Sequence, residues 1–180
     1  MRLLAVFCLL IPVAAISQEW GLAAGVSQTS AKSRVPDATT THRLSFRGGL
    51  TSSFFFLNDE IKIRTGLLYT QRRFEIREDQ SSYTYDWHYL DIPVLTQVKY
   101  NEMIAFFGGV NIEVNISSDT IPSLDGGGAR SLSSVFQVGV NFLFDNMYGF
   151  DAYYEQGFDN IDDNVAQPSA FGIDLLYYFL

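Results

Sequence analysis

From His42 onward, apolar residues return at every second position through one run after another. Leu44, Phe46, Gly48 and Leu50 share one side of an extended segment, with Arg43, Ser45, Arg47, Gly49 and Thr51 on the other. A period of two marks a strand whose two faces meet different surroundings. After a short Leu57-Asn58-Asp59 turn, Ile61, Ile63, Thr65, Leu67 and Tyr69 alternate with Lys62, Arg64, Gly66, Thr70 and Arg72, and Leu68 is the exception. Leu90, Ile92, Val94, Thr96, Val98 and Tyr100 oppose Tyr89, Asp91, Pro93, Gln97 and Lys99. Past an Asn101-Glu102 turn, Ile104 to Val114 continues the pattern, with Glu113 on its polar side. Phe136 to Phe144 turns at Asp145-Asn146 into Tyr148 to Tyr154, opposite Asp151 and Glu155. An opening strand over Glu19 to Ser27 and a closing one over Ala170 to Leu180 bring the expected total to eight.

The two faces decide between a soluble barrel and a membrane barrel. One is nearly unbroken Ile, Val, Leu and Phe. The other carries Arg43, Arg47, Lys62, Arg64, Asp91, Lys99, Glu113, Asp151, Glu155 and Asp174. Such a set cannot form a dry core by itself, because an unpaired buried charge costs several kcal/mol or more. With the apolar face toward lipid and the charges inward, each side chain has a suitable partner. The expectation is an all-β, eight-stranded antiparallel up-and-down transmembrane barrel. Strands two and three are expected to bring only bases inward and strands five, seven and eight only acids, so the lumen should be plugged by a salt-bridge network. A barrel of eight strands is only wide enough for side chains to fill.

Residues 1–17 have the form of a secretory signal peptide. Arg2 supplies its positive start, Leu3 to Ala15 an apolar run, and Ala15-Ile16-Ser17 small residues for cleavage. That run is shorter than the roughly twenty residues a membrane helix needs. Phe7 stands before Cys8 where a lipid-anchored precursor would carry a small residue. The remaining 18–180 are expected to form one barrel domain without cysteine, held by strand pairing. The net charge of -8 argues against nucleic acid as a partner.

Tight turns near Asn58, Asn101 and Asn146 alternate with longer polar loops over 28–41, 75–86, 117–131 and 159–169. Short periplasmic turns and long extracellular loops are the pattern of outer-membrane barrels, so both termini are expected in the periplasm of a Gram-negative bacterium. Aromatic girdles are expected from Trp20, Tyr100, Tyr148, Tyr177 and Phe179 at the periplasmic side and from Tyr69, Trp87 and Phe158 at the other.

The stretch Tyr89-Leu90-Asp91-Ile92-Pro93 resembles a motif of the PorT-like outer-membrane β-barrel family of Bacteroidetes-type bacteria, small barrels of the OmpX and OmpA type. Trp20 to Gly25, Arg64 to Tyr69 and Phe107 to Val110 add shorter echoes, so the resemblance spans essentially the whole mature chain. It implies a barrel delivered by the outer-membrane insertion machinery, which reads an aromatic C-terminus. Here Tyr177 and Phe179 alternate correctly as that signal, while Leu180 ends the chain. The founding member is linked to a secretion system, a role that membership does not transfer.

Three functional readings follow. The leading one is a non-enzymatic barrel acting structurally or through extracellular loops, with outer-membrane lipid, lipopolysaccharide and an unidentified extracellular or secretion partner as contacts. The second is a narrow channel or secretion accessory. The third is a lipid-modifying or proteolytic enzyme, for which the only histidines are His42 and His88. Asp86 sits two positions from His88, but no serine follows either histidine at that spacing, and both read as interfacial polar residues. The acids of Ser117 to Arg130 fit no calcium-loop spacing, and neither a metal nor another cofactor is expected. The charged run from Arg72 to Asp79 is expected to carry a hairpin above the membrane, where its bases face water or anionic lipopolysaccharide.

Overall fold

The computed structural model describes residues 19–33, 39–57, 60–78, 81–121, 131–145, 147–158 and 165–179. Among them the chain forms β1 (Glu19–Ser33), β2 (Thr39–Leu57), β3 (Ile61–Glu78), β4 (Ser81–Lys99), β5 (Ile104–Ile121), β6 (Leu132–Leu143), β7 (Tyr148–Gly157) and β8 (Val165–Phe179). Each strand pairs antiparallel with its sequence neighbour, and β1 closes onto β8 from Trp20↔Phe179 to Ser33↔Val165. This is the expected closed up-and-down barrel. Closure leaves no unpaired sheet edge, the condition for crossing hydrocarbon with strands.

The tight turns lie at the end that holds both strand termini. Asn101 Oδ1 accepts hydrogen bonds from the Met103 and Ile104 amides at 2.9 and 2.8 Å. Asp145 Oδ1 does the same for Met147 and Tyr148 at 2.7 and 2.8 Å. A short carboxylate or amide side chain can thus close a turn by imitating the backbone acceptor.

At the opposite end the strands run further than alternation alone indicates. β1 continues to Ser33, β8 begins at Val165, and the expected loop 75–86 is largely an antiparallel ladder, with Glu75 opposite Thr84 and Arg77 opposite Ser82. The cause is β-forming composition: Thr39, Thr40, Thr41, Tyr83, Thr84 and Tyr85 favour a paired strand even where no apolar face is needed. The remaining loop residues 34–38, 79–80, 122–130 and 159–164, and the signal 1–17, lie outside the described residues.

Outward positions form a continuous apolar belt. Leu44, Phe46, Val94, Phe171, Ile173 and Leu175 are each about half exposed or more. A water-facing belt of this extent would be an association surface, whereas a bilayer is its natural solvent. Tyr100, Tyr148, Tyr177 and Phe179 flank it at the turn end, and Tyr69 and Phe158 at the other. Trp87 departs from the expected outer girdle. It shares parity with Tyr89, points into the lumen and is fully buried there against Phe74 and Tyr85.

Candidate functional site

The centre of the lumen holds three arginines on two strands. Arg47 on β2 donates from Nη1 to Glu155 Oε1 at 2.8 Å and from Nε to Asp174 Oδ2 at 2.9 Å. Arg72 on β3 donates from Nε to Glu113 Oε1 at 3.1 Å and from Nη2 to Glu155 Oε2 at 2.9 Å. Arg64, eight positions below it, reaches Asp151 Oδ2 with Nη2 at 2.6 Å. Neutral donors complete the carboxylates: Ser133 to Glu113 at 3.0 Å, Asn111 to Glu155 at 3.1 Å and Asn141 to Asp151 at 2.7 Å. Every one of these side chains is buried. Charges removed from water in this way need partners on all sides, and the arginine fork supplies several donors in one plane.

The buried set is unbalanced. Arg47, Arg64 and Arg72 face five acids: Asp91, Glu113, Asp151, Glu155 and Asp174. Asp91 is directly opposite Glu113 in the β4–β5 register. Its Oδ2 accepts from Thr70 Oγ1 at 2.6 Å, and its Oδ1 has no hydrogen-bond partner among the described residues.

Arg43, Lys62 and Lys99 do not join this centre. The β2–β3 ladder is irregular between His42 and Arg47, and Arg43, with 46% of its side chain exposed, pairs instead with Glu75. Lys62 lies at the turn end, its Nζ 2.8 Å from both Glu19 oxygens and above the Phe55 ring. Lys99 is the last residue of β4 and is exposed. Arg72 is the reverse case, because it belongs to the buried centre and not to the protruding hairpin. Its parity with Arg64 and Thr70 was the signal for that placement.

An aromatic layer closes the lumen on the long-strand side of the charges, and towards the turn end apolar side chains interleave with them. Towards the long-strand end, Ala31, Phe74, Ile76, Tyr85, Trp87 and Tyr89 pack together, Phe74 stacked on Tyr85 at 5.0 Å and edge-on to Trp87 at 5.2 Å. Towards the turn end, Leu95, Phe107 and Tyr153 form one cluster and Ala23, Leu68 and Leu176 another. The inward turn of Leu68 accounts for its break in the alternation. The guanidinium of Arg47 lies 4.1 Å from the Tyr153 ring centre and that of Arg64 4.6 Å from Phe107. Cation–π contacts therefore join the charged and aromatic layers.

The Tyr89-Leu90-Asp91-Ile92-Pro93 stretch is split by the wall. Tyr89, Asp91 and Pro93 are buried, and Leu90 and Ile92 lie on the outward side. The β3–β4 register skips the pairs that would set Gly66 and Leu67 against Pro93 and Ile92. Proline has no amide hydrogen for the ladder, and the interruption falls where that donor is missing. Tyr177 and Phe179, the expected insertion signal, face outward on β8, while Leu180 lies outside the described residues.

Just beyond the apolar belt, the outward face of the β3–β4 hairpin turns polar. Tyr69 Oη and His88 Nδ1 are 2.5 Å apart with their rings stacked. Asp86 accepts from Gln71 Nε2 at 2.7 Å and from Arg73 Nε at 3.1 Å, and its Oδ1 is 3.6 Å from His88 Nε2. Further along, Glu75 accepts from Ser82 Oγ at 2.6 Å, from Arg77 Nε at 2.7 Å and from Arg43. These three hydrogen bonds, that of Ser82 first, hold the Glu75 carboxyl down at about 2. Sequence spacing had joined Asp86 to His88; only strand pairing brings in Tyr69, Gln71 and Arg73.

Residues 14–163 match the family described as Outer membrane protein beta-barrel domain. The chain belongs to that family. A lipid-facing belt and a closed barrel are what membership of this outer membrane beta-barrel family requires, and the protein is accordingly an outer-membrane protein. Solved structures that share the fold include two bacterial surface proteins. Ail, the attachment invasion locus protein of Yersinia pestis, solved in complex with the heparin analogue sucrose octasulfate, is 19% identical with a TM-score of 0.53, over 89% of this chain and 98% of that one. Neisserial surface protein A is 10% identical with a TM-score of 0.58, over 89% of this chain and 97% of that one. No curated protein sequence matches the chain.

Proposed function

We propose that this outer membrane beta-barrel protein is a non-conducting, non-catalytic barrel of the PorT-like branch that acts through its surface. The observation that carries the reading is the filled lumen, in which paired arginines and carboxylates interleave with apolar side chains beneath an aromatic layer. A barrel sealed in this way offers partners its outer wall and the strand ends that rise beyond the membrane. The start of β1, the end of β8 and the tight turns stand at one end, which favours a periplasmic position for that end and an extracellular one for the opposite rim. The Tyr89-Leu90-Asp91-Ile92-Pro93 stretch supports the PorT-like branch, and outward-facing Tyr177 and Phe179 suit recognition by the insertion machinery.

Planar-bilayer recording of the folded, full-length protein tests the sealed lumen. The expected result is no reproducible unitary conductance from preparations whose gel migration shifts on boiling, the mark of a folded barrel. An ohmic pore of constant size would overturn the reading in favour of a narrow channel.

A further inference from the structure

We propose that the outward face of the β3–β4 hairpin is a binding site for the phosphorylated headgroup of an outer-leaflet glycolipid; this rests on the extracellular placement of the long-strand end. Three arginines gather on this face and its β2 neighbour. The side chains of Arg43, Arg73 and Arg77 are 46%, 42% and 58% exposed. Two acids, Glu75 and Asp86, pair with them, so three guanidiniums meet two carboxylates on a chain whose formal charge is -8.

The acids orient the cations without covering them. Asp86 takes Nε and Nη2 of Arg73, and Nη1 makes no hydrogen bond among the described residues. Glu75 fixes Arg43 on one side and Arg77 on the other. A guanidinium already held in place loses less freedom when an anion docks, and its planar fork matches a phosphate. Below the arginines, the stacked Tyr69–His88 pair marks the edge of the apolar belt.

Height selects the lipid. A strand tilted by about 45° climbs roughly 2.3 Å per residue, which puts Arg73 about 9 Å and Arg77 about 18 Å above Tyr69. The headgroup layer of an ordinary phospholipid is only about 5–8 Å deep on each side. Arg73 therefore reaches a phosphate at the membrane surface, whereas Arg77 requires a taller headgroup. A glycolipid bearing phosphates on an extended sugar meets both.

The test uses the full-length protein in nanodiscs containing lipopolysaccharide, phosphatidylglycerol or phosphatidylcholine, compared with the Arg73→Gln/Arg77→Gln double variant and with Lys99→Gln at the opposite rim. Affinity for lipopolysaccharide should fall about thirtyfold in the double variant and stay unchanged in the Lys99 variant, at low salt. Boiling-dependent migration confirms that each variant is folded. Equal affinity in the double variant, equal retention of phosphatidylglycerol, or displacement by millimolar inorganic phosphate would each overturn the proposal. Labelling of Thr39→Cys by a membrane-impermeant maleimide on intact cells tests the orientation separately. Absence of labelling removes the orientation and the site together, while labelling with unchanged lipid affinity removes the site alone.

Discussion

Arg72 on β3 and Glu155 on β7 meet across the lumen, Nη2 to Oε2 at 2.9 Å, although three strands lie between them in either direction around the wall. Arg64 and Asp151 repeat the same β3-to-β7 crossing nearer the turn end at 2.6 Å. Ladder hydrogen bonds join only neighbouring strands, so these two pairs tie opposite walls directly. Glu155 is shared, since its other oxygen holds Arg47.

The first expected outcome concerns this cross-lumen tie. Arg72→Met leaves Glu113 buried without a cation and Glu155 with Arg47 alone, and Glu155→Gln leaves two guanidiniums short of charge. Each should lower stability by about 3–5 kcal/mol. The double variant should cost less than the sum, because both singles break the same contact. Urea unfolding in lipid vesicles, followed by tryptophan emission and gel migration, measures all three. Strict additivity would show that the two side chains act independently.

A second outcome separates the buried acids by whether they have a cation. Asp151 is the salt-bridge partner of Arg64, and Asp151→Asn should cost about 3–5 kcal/mol. Asp91 makes no salt bridge among the described residues and faces Glu113 across the strand pair, where like charges oppose each other. Asp91→Asn should therefore unfold at no lower urea concentration than the wild type. A large loss in that variant would mean that Asp91 holds a cationic partner in the folded barrel.

Two glycines in adjoining strands offer a third contrast. A Cβ on Gly139 of β6 would overlap the Ala152 carbonyl oxygen and lie 2.9 Å from Phe107 Cε1. The Phe107 ring cannot withdraw freely, because Arg64 lies on its face. Gly139→Ala should destabilise by about 1–3 kcal/mol, the cost of overpacking. Outward-facing Gly108 would bring a Cβ only to 3.4 Å from Val138 Cγ1, an ordinary contact, so Gly108→Ala should be close to neutral. Parallel unfolding curves distinguish the two positions.

The wall was legible in the sequence and the pairing across it was not. Alternation assigns Arg47, Arg64, Asp91, Glu113, Asp151, Glu155 and Asp174 to the inside, because a period of two is a local property of a strand. Which of them meet depends on closure and on the relative height of the strands, and no local pattern encodes either. Arg43 was misplaced because the irregular ladder between His42 and Arg47 breaks the simple parity. Arg72 and Trp87 carried inward parity, but their surroundings in the sequence, a charged run and a strand end, suggested the surface. The polar cluster at Tyr69, Gln71, Arg73, Asp86 and His88 needed the β3–β4 register before its members became neighbours.

Glu75 supplies the last prediction, a pH response confined to the hairpin that rises beyond the apolar belt. Ser82, Arg77 and Arg43 all donate to the carboxylate and favour its charged form, which lowers its pKa from 4.5 to about 2. A depressed carboxyl contributes stability that is complete above its unfolded value and is lost as pH falls through its folded value. The β3–β4 hairpin should therefore keep its amide protection at pH 6 and lose it progressively between about 4.5 and 2. Glu75→Gln removes the charge at every pH, so its hairpin should already exchange faster at pH 6 and show a flatter acid profile. Hydrogen exchange read by mass spectrometry over residues 70–88, corrected for the intrinsic pH dependence of exchange, gives both curves. Identical profiles for the two proteins would mean that the three donors stabilise the hairpin without help from the Glu75 charge.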